Sequence, residues 1–175
     1  LPISSGVAPE VELCDASFKY ATQDRQALER VSLRTPAGEV TALVGPSGAG
    51  KSTLISLLLR FYDPVSGAVR IDWRDIRDYD LRSLRRQMGL VLQDVFLFAG
   101  TVGENLRLGE AAFDRARIEA AAKTVHADRF IDQLPKGYET PVLERGAALS
   151  SGERQLLSFA RALAFDPRIL VLDEA

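Results

Sequence analysis

Residues 45–53 constrain this chain most, because GPSGAGKST matches the phosphate-loop pattern G-x-x-x-x-G-K-[ST]. An apolar run rich in β-formers, residues 40–44, precedes the loop, and helix-forming residues follow it. Strand, glycine-rich loop and helix is the order that this motif needs in order to work. We therefore predict a strand over residues 40–44, a helix over residues 51–61 and an α/β fold.

The composition of the loop suits a ligand that carries several negative charges. Gly45, Gly48 and Gly50 allow backbone conformations that turn successive N–H groups inward, and the next helix directs its positive end to the same place. Lys51 is expected to reach the β- and γ-phosphates, and Ser52 to ligate Mg²⁺. The remaining residues expected to line the ligand are Pro46, Ser47, Ala49 and Thr53. The predicted ligand is a nucleoside triphosphate with Mg²⁺; the alternative is a glycine-rich turn before an ordinary helix.

Composition excludes several classes of function. The chain has 175 residues, enough for one domain or most of one, and 46% of them are hydrophobic. Its net charge of −2 gives no basic surface for nucleic acid, so we expect no nucleic-acid partner. It contains no apolar stretch long enough to span a membrane. Cys14 is the only cysteine, and we interpret it as a packed strand residue rather than a reactive thiol.

Hydrophobic periodicity predicts the other elements. Strands are predicted over residues 11–20, 27–34, 68–71 and 90–92. Asp80 is placed to cap a short helix, residues 104–134 have helical spacing, and another helix is predicted over 152–165. Residues 169–172 form a continuous apolar run, which is typical of a central parallel strand.

Two acidic residues follow that apolar run directly. Asp173, at the end of a buried strand, is well placed to hold Mg²⁺ near a phosphate loop. Glu174 beside it is suited to orient or deprotonate an attacking water. A pair of helix-capping acids after a core strand is the alternative interpretation.

Residues 149–155, LSSGERQ, lie between these two motifs and resemble the LSGGQ signature of ATP-binding-cassette (ABC) ATPases. Tyr20 resembles the aromatic residue that stacks on adenine in this family, and Gln93 resembles the Q-loop glutamine. Residues 144–146 and 96–106 resemble the exporter branch of the family. These motifs follow one another in the family's order over nearly the whole chain.

The resemblance implies a fold and a domain organisation. The expected fold is a P-loop NTPase core of the ABC type, with an N-terminal antiparallel β subdomain and a helical insertion subdomain at about residues 100–165. Residues 1–10 are expected to be a linker and residues 11–175 the nucleotide-binding domain. The family continues beyond the position of Ala175 with a D-loop and a histidine, and His126 matches neither. We therefore expect the cassette to be incomplete after Asp173 and Glu174.

The resemblance also implies a function: ATP hydrolysis that powers a transporter, of the exporter type. The expected catalytic residues are Glu174 and Gln93, and the expected Mg²⁺ ligands are Ser52, Gln93 and Asp173. In this family two domains pair head to tail, so the signature residues face the ATP of a second nucleotide-binding domain. In this chain those residues are Ser150, Ser151, Gly152 and Glu153.

The signature also has a simpler interpretation. Ser150-x-x-Glu153 is a capping box for the next helix, and both roles are compatible if each belongs to one state of the dimer. Ser151 replaces the middle glycine of the family motif and adds a Cβ where backbone approaches phosphate. Glu153 replaces the usual glutamine and brings a carboxylate close to an anion site.

We also expect a transmembrane partner that is fused upstream. The expected location is the cytoplasmic face of a bacterial inner membrane. Three alternatives remain open at this point. They are a soluble ABC ATPase of DNA repair or translation, a separate importer ATPase subunit, and a partner domain that binds ATP without hydrolysing it. Glu174 argues against the last of these.

Overall fold

The computed structural model describes residues 8–142 and 149–173. They fall into two compact units, Leu1–Met88 and Gly89–Ala175. Glu174 and residues 144–146, which the sequence analysis singled out, lie outside the described residues.

The first unit is built on a four-stranded sheet with the order β2-β1-β3-β4. The strands are β1 (Val11–Phe18), β2 (Leu28–Thr35), β3 (Ser66–Ile71) and β4 (Arg74–Asp75). Each neighbouring pair is antiparallel, with Val11 opposite both Thr35 and Ile71. The predicted N-terminal antiparallel subdomain is therefore confirmed.

A bulge interrupts the pairing of β1 at Asp15, whose φ is 45°. The Asp15 N–H donates to the Ser32 hydroxyl at 3.0 Å instead of continuing the ladder. Gly67 on β3 has a φ of 77°, and a Cβ there would lie 2.3 Å from the carbonyl oxygens of Cys14 and Asp15. Only glycine fits beside this bulge, because both its backbone conformation and its lack of a side chain are required.

The phosphate loop leads into α1 (Lys51–Leu58), whose buried face includes Leu54, Leu57 and Leu58. The predicted end of this helix at residue 61 is wrong. Arg60 adopts a φ of 52°, and the Phe61 N–H turns back to the Ser56 carbonyl at 2.8 Å. This left-handed C-terminal cap ends the helix one turn early.

The predicted strand at residues 40–44 is absent from the structure. Val40 and Val44 are 98% and 94% exposed, and within the described residues no strand pairs with this segment. A strand exists only where a neighbour accepts its backbone hydrogen bonds, so β propensity without a partner leaves irregular backbone.

The rest of the first unit is a short 3-10 turn at Ile76–Asp78 and the helix α2 (Leu81–Arg86). Asp80 caps α2 as predicted, because its carboxylate accepts the Ser83 N–H at 2.9 Å. Arg85, in the last turn of α2, donates to the carbonyls of Leu59 and Arg60, which follow α1 directly, at 3.1 and 2.9 Å.

The second unit contains two small sheets. β5 (Met88–Val91) pairs with β8 (Ile169–Leu172), and β6 (Gly100–Thr101) pairs with β7 (Pro141–Val142). The prediction that residues 169–172 form a central strand is wrong for the described residues, where β8 has one neighbour and Leu170 and Leu172 remain 42% and 48% exposed. Leu92, predicted to continue β5, lies outside the strand and is 47% exposed.

Four helices complete the second unit: α3 (Val102–Arg107), α4 (Arg115–Thr124), α5 (Asp128–Ile131) and α6 (Ser151–Ala164), with a 3-10 turn at Gly137–Glu139. Leu108 and His126, both with positive φ, separate the first three helices. Residues 104–134, which were predicted from helical spacing, contain most of α3 and all of α4 and α5, and the helix predicted over residues 152–165 agrees in position with α6. No helix in the described part of the chain has the length and apolarity needed to cross a membrane.

These helices share one hydrophobic core. Arg117 ties α4 to α6, because its Nε donates to the Ala164 carbonyl at 2.6 Å. The buried members of the core are Leu97, Val102, Leu106, Phe113, Ile118, Ala121, Ala122, Ala127, Ile131, Tyr138, Val142, Leu149, Leu157, Ala160 and Ala164. Burial of so many aliphatic side chains stabilises the unit by the hydrophobic effect, at about 25 cal/mol per Å² of apolar surface.

Candidate functional site

The phosphate loop takes its shape from two glycines. Gly48 and Gly50 have φ values of 79° and 92°, which residues other than glycine rarely adopt. Gly50 precedes α1 directly, and a Cβ on it would lie 2.8 Å from the Ala27 carbonyl and 2.7 Å from Leu28 Cδ2. The last residue of the loop is therefore packed against the start of β2.

Lys51 places its ammonium group over the loop itself. Its Nζ donates to the carbonyl oxygens of Gly45 and Pro46, at 2.6 and 2.9 Å. The Ala49 N–H closes the same turn on Pro46 at 3.1 Å. The residues of the loop from Gly45 to Ala49, including Ser47, are exposed. A cation held on an exposed loop can exchange these two carbonyl contacts for the oxygens of an anionic ligand.

The N-terminus of α1 differs from those of the neighbouring helices. No side chain caps it, and its first turn carries no acidic residue. By contrast, α2, α3, α4 and α6 each begin with a side-chain cap, and α5, which also has none, carries the acidic Asp128 in its first turn. The first N–H groups of a helix have no partner within the helix, so an uncapped end is suited to bind an anion.

The two hydroxyl residues of α1 lie in different environments. Ser52, the expected Mg²⁺ ligand, is exposed beside the loop. Thr53 is buried, and its Oγ1 lies 3.1 Å from the hydroxyl oxygen of Tyr20. The structure thus brings together four residues that the sequence analysis assigned to one ligand: Tyr20, Lys51, Ser52 and Thr53.

Tyr20 belongs to a group of three aromatic rings. Its ring lies edge-on to those of Phe18 and Tyr62, with centroid distances of 4.9 and 5.4 Å. Edge-to-face contacts of this kind hold a ring in one orientation. The contact of Tyr62 with Tyr20 was not predicted, because nothing local in the sequence shows that the residues after α1 return to the end of β1.

The signature residues form the capping box that the sequence predicts. The Glu153 N–H donates to Ser150 Oγ at 3.2 Å, and the Ser150 N–H donates to Glu153 Oε2 at 2.7 Å. Ser150, Ser151 and Gly152 are exposed at the N-terminus of α6. The carboxylate of Glu153 is therefore turned back to the backbone rather than outward.

Gln93 lies in a cleft of about 300 Å³ in the second unit, which also contains Ser151. The structure thus brings one predicted catalytic residue together with three residues of the signature segment 149–155, namely Ser151, Arg154 and Gln155. The cleft residues that the sequence did not predict are Asp94 and Val95. Arg154 also donates to the Leu149 carbonyl at 2.6 Å, which fixes the residue before the cap.

Asp173 follows β8, and its N–H donates to the Val91 carbonyl at 2.9 Å. The residue is half-buried, as expected at the end of a strand. Within residues 8–142 and 149–173, no three His, Cys, Asp or Glu side chains come together as a metal-binding group. The arrangement of Asp173 with the predicted Mg²⁺ ligands Ser52 and Gln93 stays a prediction.

The exporter-like segment is organised by Asn105 and Arg161, which the sequence analysis did not identify. Asn105 is buried and both donates to and accepts from the backbone of Phe98, at 2.9 and 2.8 Å. Arg161 on α6 donates to the Phe96 carbonyl at 3.0 Å, and burial lowers the pKa of its guanidinium. The exposed rings of Phe96 and Phe98 are thereby held at the surface.

Cys14 and His126 show no sign of a chemical role. Cys14 is half-buried in β1, and burial, followed by the nearby Glu12, raises the pKa of its thiol. A raised pKa reduces the reactive thiolate, which agrees with the interpretation of Cys14 as a packed residue. His126 is exposed where α4 ends.

Comparison with known proteins agrees with these features. The family model described as ABC transporter matches residues 28–175. A plant relative, ABC transporter B family member 29, chloroplastic, from Arabidopsis thaliana, is 53% identical over 171 residues, which cover 97% of this chain and 27% of the plant protein. The ATP-dependent lipid A-core flippase of Vibrio parahaemolyticus is 47% identical over 167 residues, which cover 95% of this chain and 29% of the flippase.

A solved structure gives the same result. The structure of a bacterial Atm1-family ABC exporter with ATP bound matches with a TM-score of 0.90 and 44% sequence identity, over 98% of this chain and 30% of that one. The chain thus spans less than a third of the length of these relatives. Because the family model and the structural match both extend over most of its length, the chain belongs to the ABC transporter family, as an ATP-binding domain with the P-loop NTPase fold.

Proposed function

We propose that this domain binds ATP with Mg²⁺ through residues 45–53 and hydrolyses it to drive an exporter. The observation that carries the proposal is the position of the Lys51 ammonium, held on two loop carbonyls beside the uncapped N-terminus of α1. Both features suit a triphosphate, which brings negative charge and hydrogen-bond acceptors to one place.

The residues present fit Mg²⁺-ATP. Lys51 exchanges its contacts with Gly45 and Pro46 for the β- and γ-phosphates, and the exposed Ser52 hydroxyl is free to approach the ion. Mg²⁺, when bound, neutralises charge that develops on the phosphates during transfer. The assignment of Gln93 and Asp173 as further ligands rests on the family resemblance. The ring of Tyr20 offers a stacking surface for adenine.

Hydrolysis needs a group that accepts a proton from the attacking water. Glu174, which lies outside the described residues, is assigned this role by its place after Asp173. The water oxygen forms a bond to the γ-phosphorus, the bond to the β-phosphate oxygen breaks, and ADP and phosphate leave. Gln93 contacts the ion or the water and transmits the nucleotide state to the residues that follow it.

The proposed partners come from the relatives. One is named a flippase and another an exporter, and both are much longer than this chain. We propose membrane helices fused upstream, a position at the cytoplasmic face of a bacterial inner membrane, and a second nucleotide-binding domain. In that pair, Ser150 and Gly152 of each domain face the ATP held by the other, and no nucleic acid takes part.

The test is phosphate release by the purified intact protein with Mg²⁺-ATP. The wild type should hydrolyse ATP, and Glu174→Gln should lower turnover about 10²–10⁴-fold while ATP still binds. Glu29→Gln, at an exposed position of β2, is the matched control and should hydrolyse ATP like the wild type. Normal phosphate release by Glu174→Gln would remove Glu174 from the mechanism. Salt-sensitive binding of DNA or RNA would favour a soluble ABC ATPase instead.

A further inference from the structure

The residues that follow α1 return the chain to the end of β1. The Phe61 N–H donates to the Ser56 carbonyl at 2.8 Å, which turns the backbone away from the helix axis. Further along, the Val65 N–H donates to the Ser17 carbonyl at 2.8 Å, near the end of β1. Tyr62 lies between these two hydrogen bonds, so the turn after α1 determines where its ring is placed.

Two arginines hold the start of this turn. Arg85 donates to the carbonyls of Leu59 and Arg60 at 3.1 and 2.9 Å. Arg60 in turn donates to the carbonyls of Ile76 and Tyr79 at 3.3 and 3.2 Å. Hydrogen bonds from a charged donor are stronger than those between neutral groups. Contacts within the first unit therefore fix the backbone after α1 without the help of a ligand.

The ring of Tyr62 contacts two aromatic rings of β1 and its end. It lies edge-on to Tyr20, with centroids 5.4 Å apart and an interplanar angle of 87°, and it is tilted against Phe18 at 5.1 Å. Phe18 is buried, whereas Tyr62 is 46% exposed. A ring that stays half exposed adds less to the core than a buried one, so its contacts with the other rings are its most specific interactions.

We propose that Tyr62 is a positioning residue for base recognition: its ring holds the ring of Tyr20 in the orientation on which the base stacks. This rests on the proposed function, in which Tyr20 contacts adenine. In that function α1 serves both ends of the nucleotide, because its N-terminus faces the phosphates and the turn after its C-terminus carries Tyr62. A binding group that is ordered beforehand improves affinity, since less conformational freedom is lost when the ligand binds.

Tyr62 should therefore affect the binding of the base and not that of the phosphates. Its ring contacts are with Phe18 and Tyr20, and it follows α1, whereas the phosphate loop precedes that helix. Loss of its ring should weaken the binding of a nucleotide and leave the binding of a bare triphosphate unchanged. The loss should have no effect in a protein that lacks the ring of Tyr20, because Tyr62 acts through that ring.

The experiment is a double-mutant cycle in the intact purified protein, with Tyr62→Leu, Tyr20→Leu and the double variant. Binding of two probes is measured by titration calorimetry with Mg²⁺: a non-hydrolysable ATP analogue, and inorganic tripolyphosphate, which has no base. Tyr62→Phe keeps the ring and tests whether the ring alone is sufficient. Phe61→Leu is the matched control, because this neighbouring ring is 54% exposed and lies against the Arg85 guanidinium, 5.0 Å from its centroid.

We expect Tyr62→Leu to bind the ATP analogue about two- to tenfold more weakly, the range for one aromatic pair. Tyr62→Phe and Phe61→Leu should bind it like the wild type. The double variant should bind it no more weakly than Tyr20→Leu, because the contact is already lost there. Tripolyphosphate should bind Tyr62→Leu within about twofold of the wild type. In turnover by Tyr62→Leu, KM for ATP should rise while kcat stays unchanged.

Several results would overturn the proposal. A further loss of analogue affinity when Tyr62→Leu is added to Tyr20→Leu would show that Tyr62 acts without Tyr20. An equal loss of tripolyphosphate affinity in Tyr62→Leu would show a general disturbance of the unit. Should Tyr62→Leu fail to fold, Tyr62→Met takes its place, and unchanged affinity of that variant for the analogue would reject the proposal. A wild type that binds neither probe would instead contradict the proposed function itself.

Discussion

Ser150 and Glu153 cap each other at the start of α6, each side chain accepting the backbone N–H of the other residue at 3.2 and 2.7 Å. The pair explains why a carboxylate is tolerated in a signature that usually has glutamine. Glu153 satisfies the Ser150 N–H, so its charge is directed to the backbone. Ser150 then has two possible tasks, as a helix cap and as a contact for phosphate.

Replacement of Ser150 by Asp separates these two tasks. Aspartate is as good an N-cap as serine, so the free energy of unfolding should stay within about 0.5 kcal/mol of the wild type. A negative charge facing a γ-phosphate should nevertheless lower ATP turnover by at least about tenfold. Thermal unfolding and phosphate release on the same preparation measure both quantities.

Ser150→Ala is the matched control for the cap. It removes the acceptor for the Glu153 N–H and should cost about 1 kcal/mol of stability, seen as a lower Tm. If Ser150→Asp hydrolyses ATP like the wild type, the residue is a helix cap and does not face phosphate.

Gly50 and Gly48 should respond differently to alanine. Both have positive φ, so each substitution should lower the free energy of unfolding by about 1–2 kcal/mol, because alanine disfavours the left-handed backbone conformation. At Gly50 the new Cβ also meets the Ala27 carbonyl at 2.8 Å, whereas at Gly48 nothing lies within 4 Å. Gly50→Ala should therefore lower stability by at least about 1 kcal/mol more than Gly48→Ala. Equal Tm values for the two variants would contradict the close packing of Gly50 against β2.

Asp75 should contribute to an acid-sensitive stability. Its hydrogen bonds with Arg77, at 2.9 and 2.6 Å, are the main reason that the pKa of its carboxyl lies below the ordinary value of 3.8. A depressed pKa means that the folded protein holds the charged form more tightly than the unfolded chain does. The contribution is thus present above about pH 4 and lost as the pH falls through the lower folded pKa.

The check is the loss of Tm between pH 5 and pH 3 in the wild type and in Asp75→Asn. We expect the Tm of Asp75→Asn to fall less than that of the wild type, because the variant has no carboxylate to protonate at this position. Asp24→Asn, at an exposed position between β1 and β2, is the control and should follow the wild type. Identical pH profiles for all three proteins would show that the Asp75–Arg77 pair adds no stability.

Local chemistry made much of this structure predictable. Three predicted features depend on residues within a few positions of each other: the phosphate loop, the Asp80 cap and the Ser150–Glu153 capping box. The structure confirms the cap and the capping box. The strands of the first unit were also predictable from the pattern of their apolar positions, whereas their antiparallel arrangement was implied by the family resemblance.

The features that were not predicted correctly depend on contacts between residues that are far apart in sequence. Residues 40–44 have strand propensity, yet pairing is decided by which other strand lies beside them. The roles of Tyr62 and Arg161 are set by contacts with Tyr20 and Phe96, which are 42 and 65 positions away in sequence. No pattern within a short window reports such contacts, so these residues became visible only in the structure.

The most direct test of the account is the affinity of the intact protein for Mg²⁺-ATP with and without the Lys51 ammonium. Lys51→Ala should bind more weakly by ~1.5–3 kcal/mol, the range for a hydrogen bond to a charged group. Lys123→Ala, at an exposed position in the last turn of α4, removes the same charge elsewhere and should bind like the wild type. Unchanged affinity in Lys51→Ala would contradict the assignment of residues 45–53 as the phosphate site.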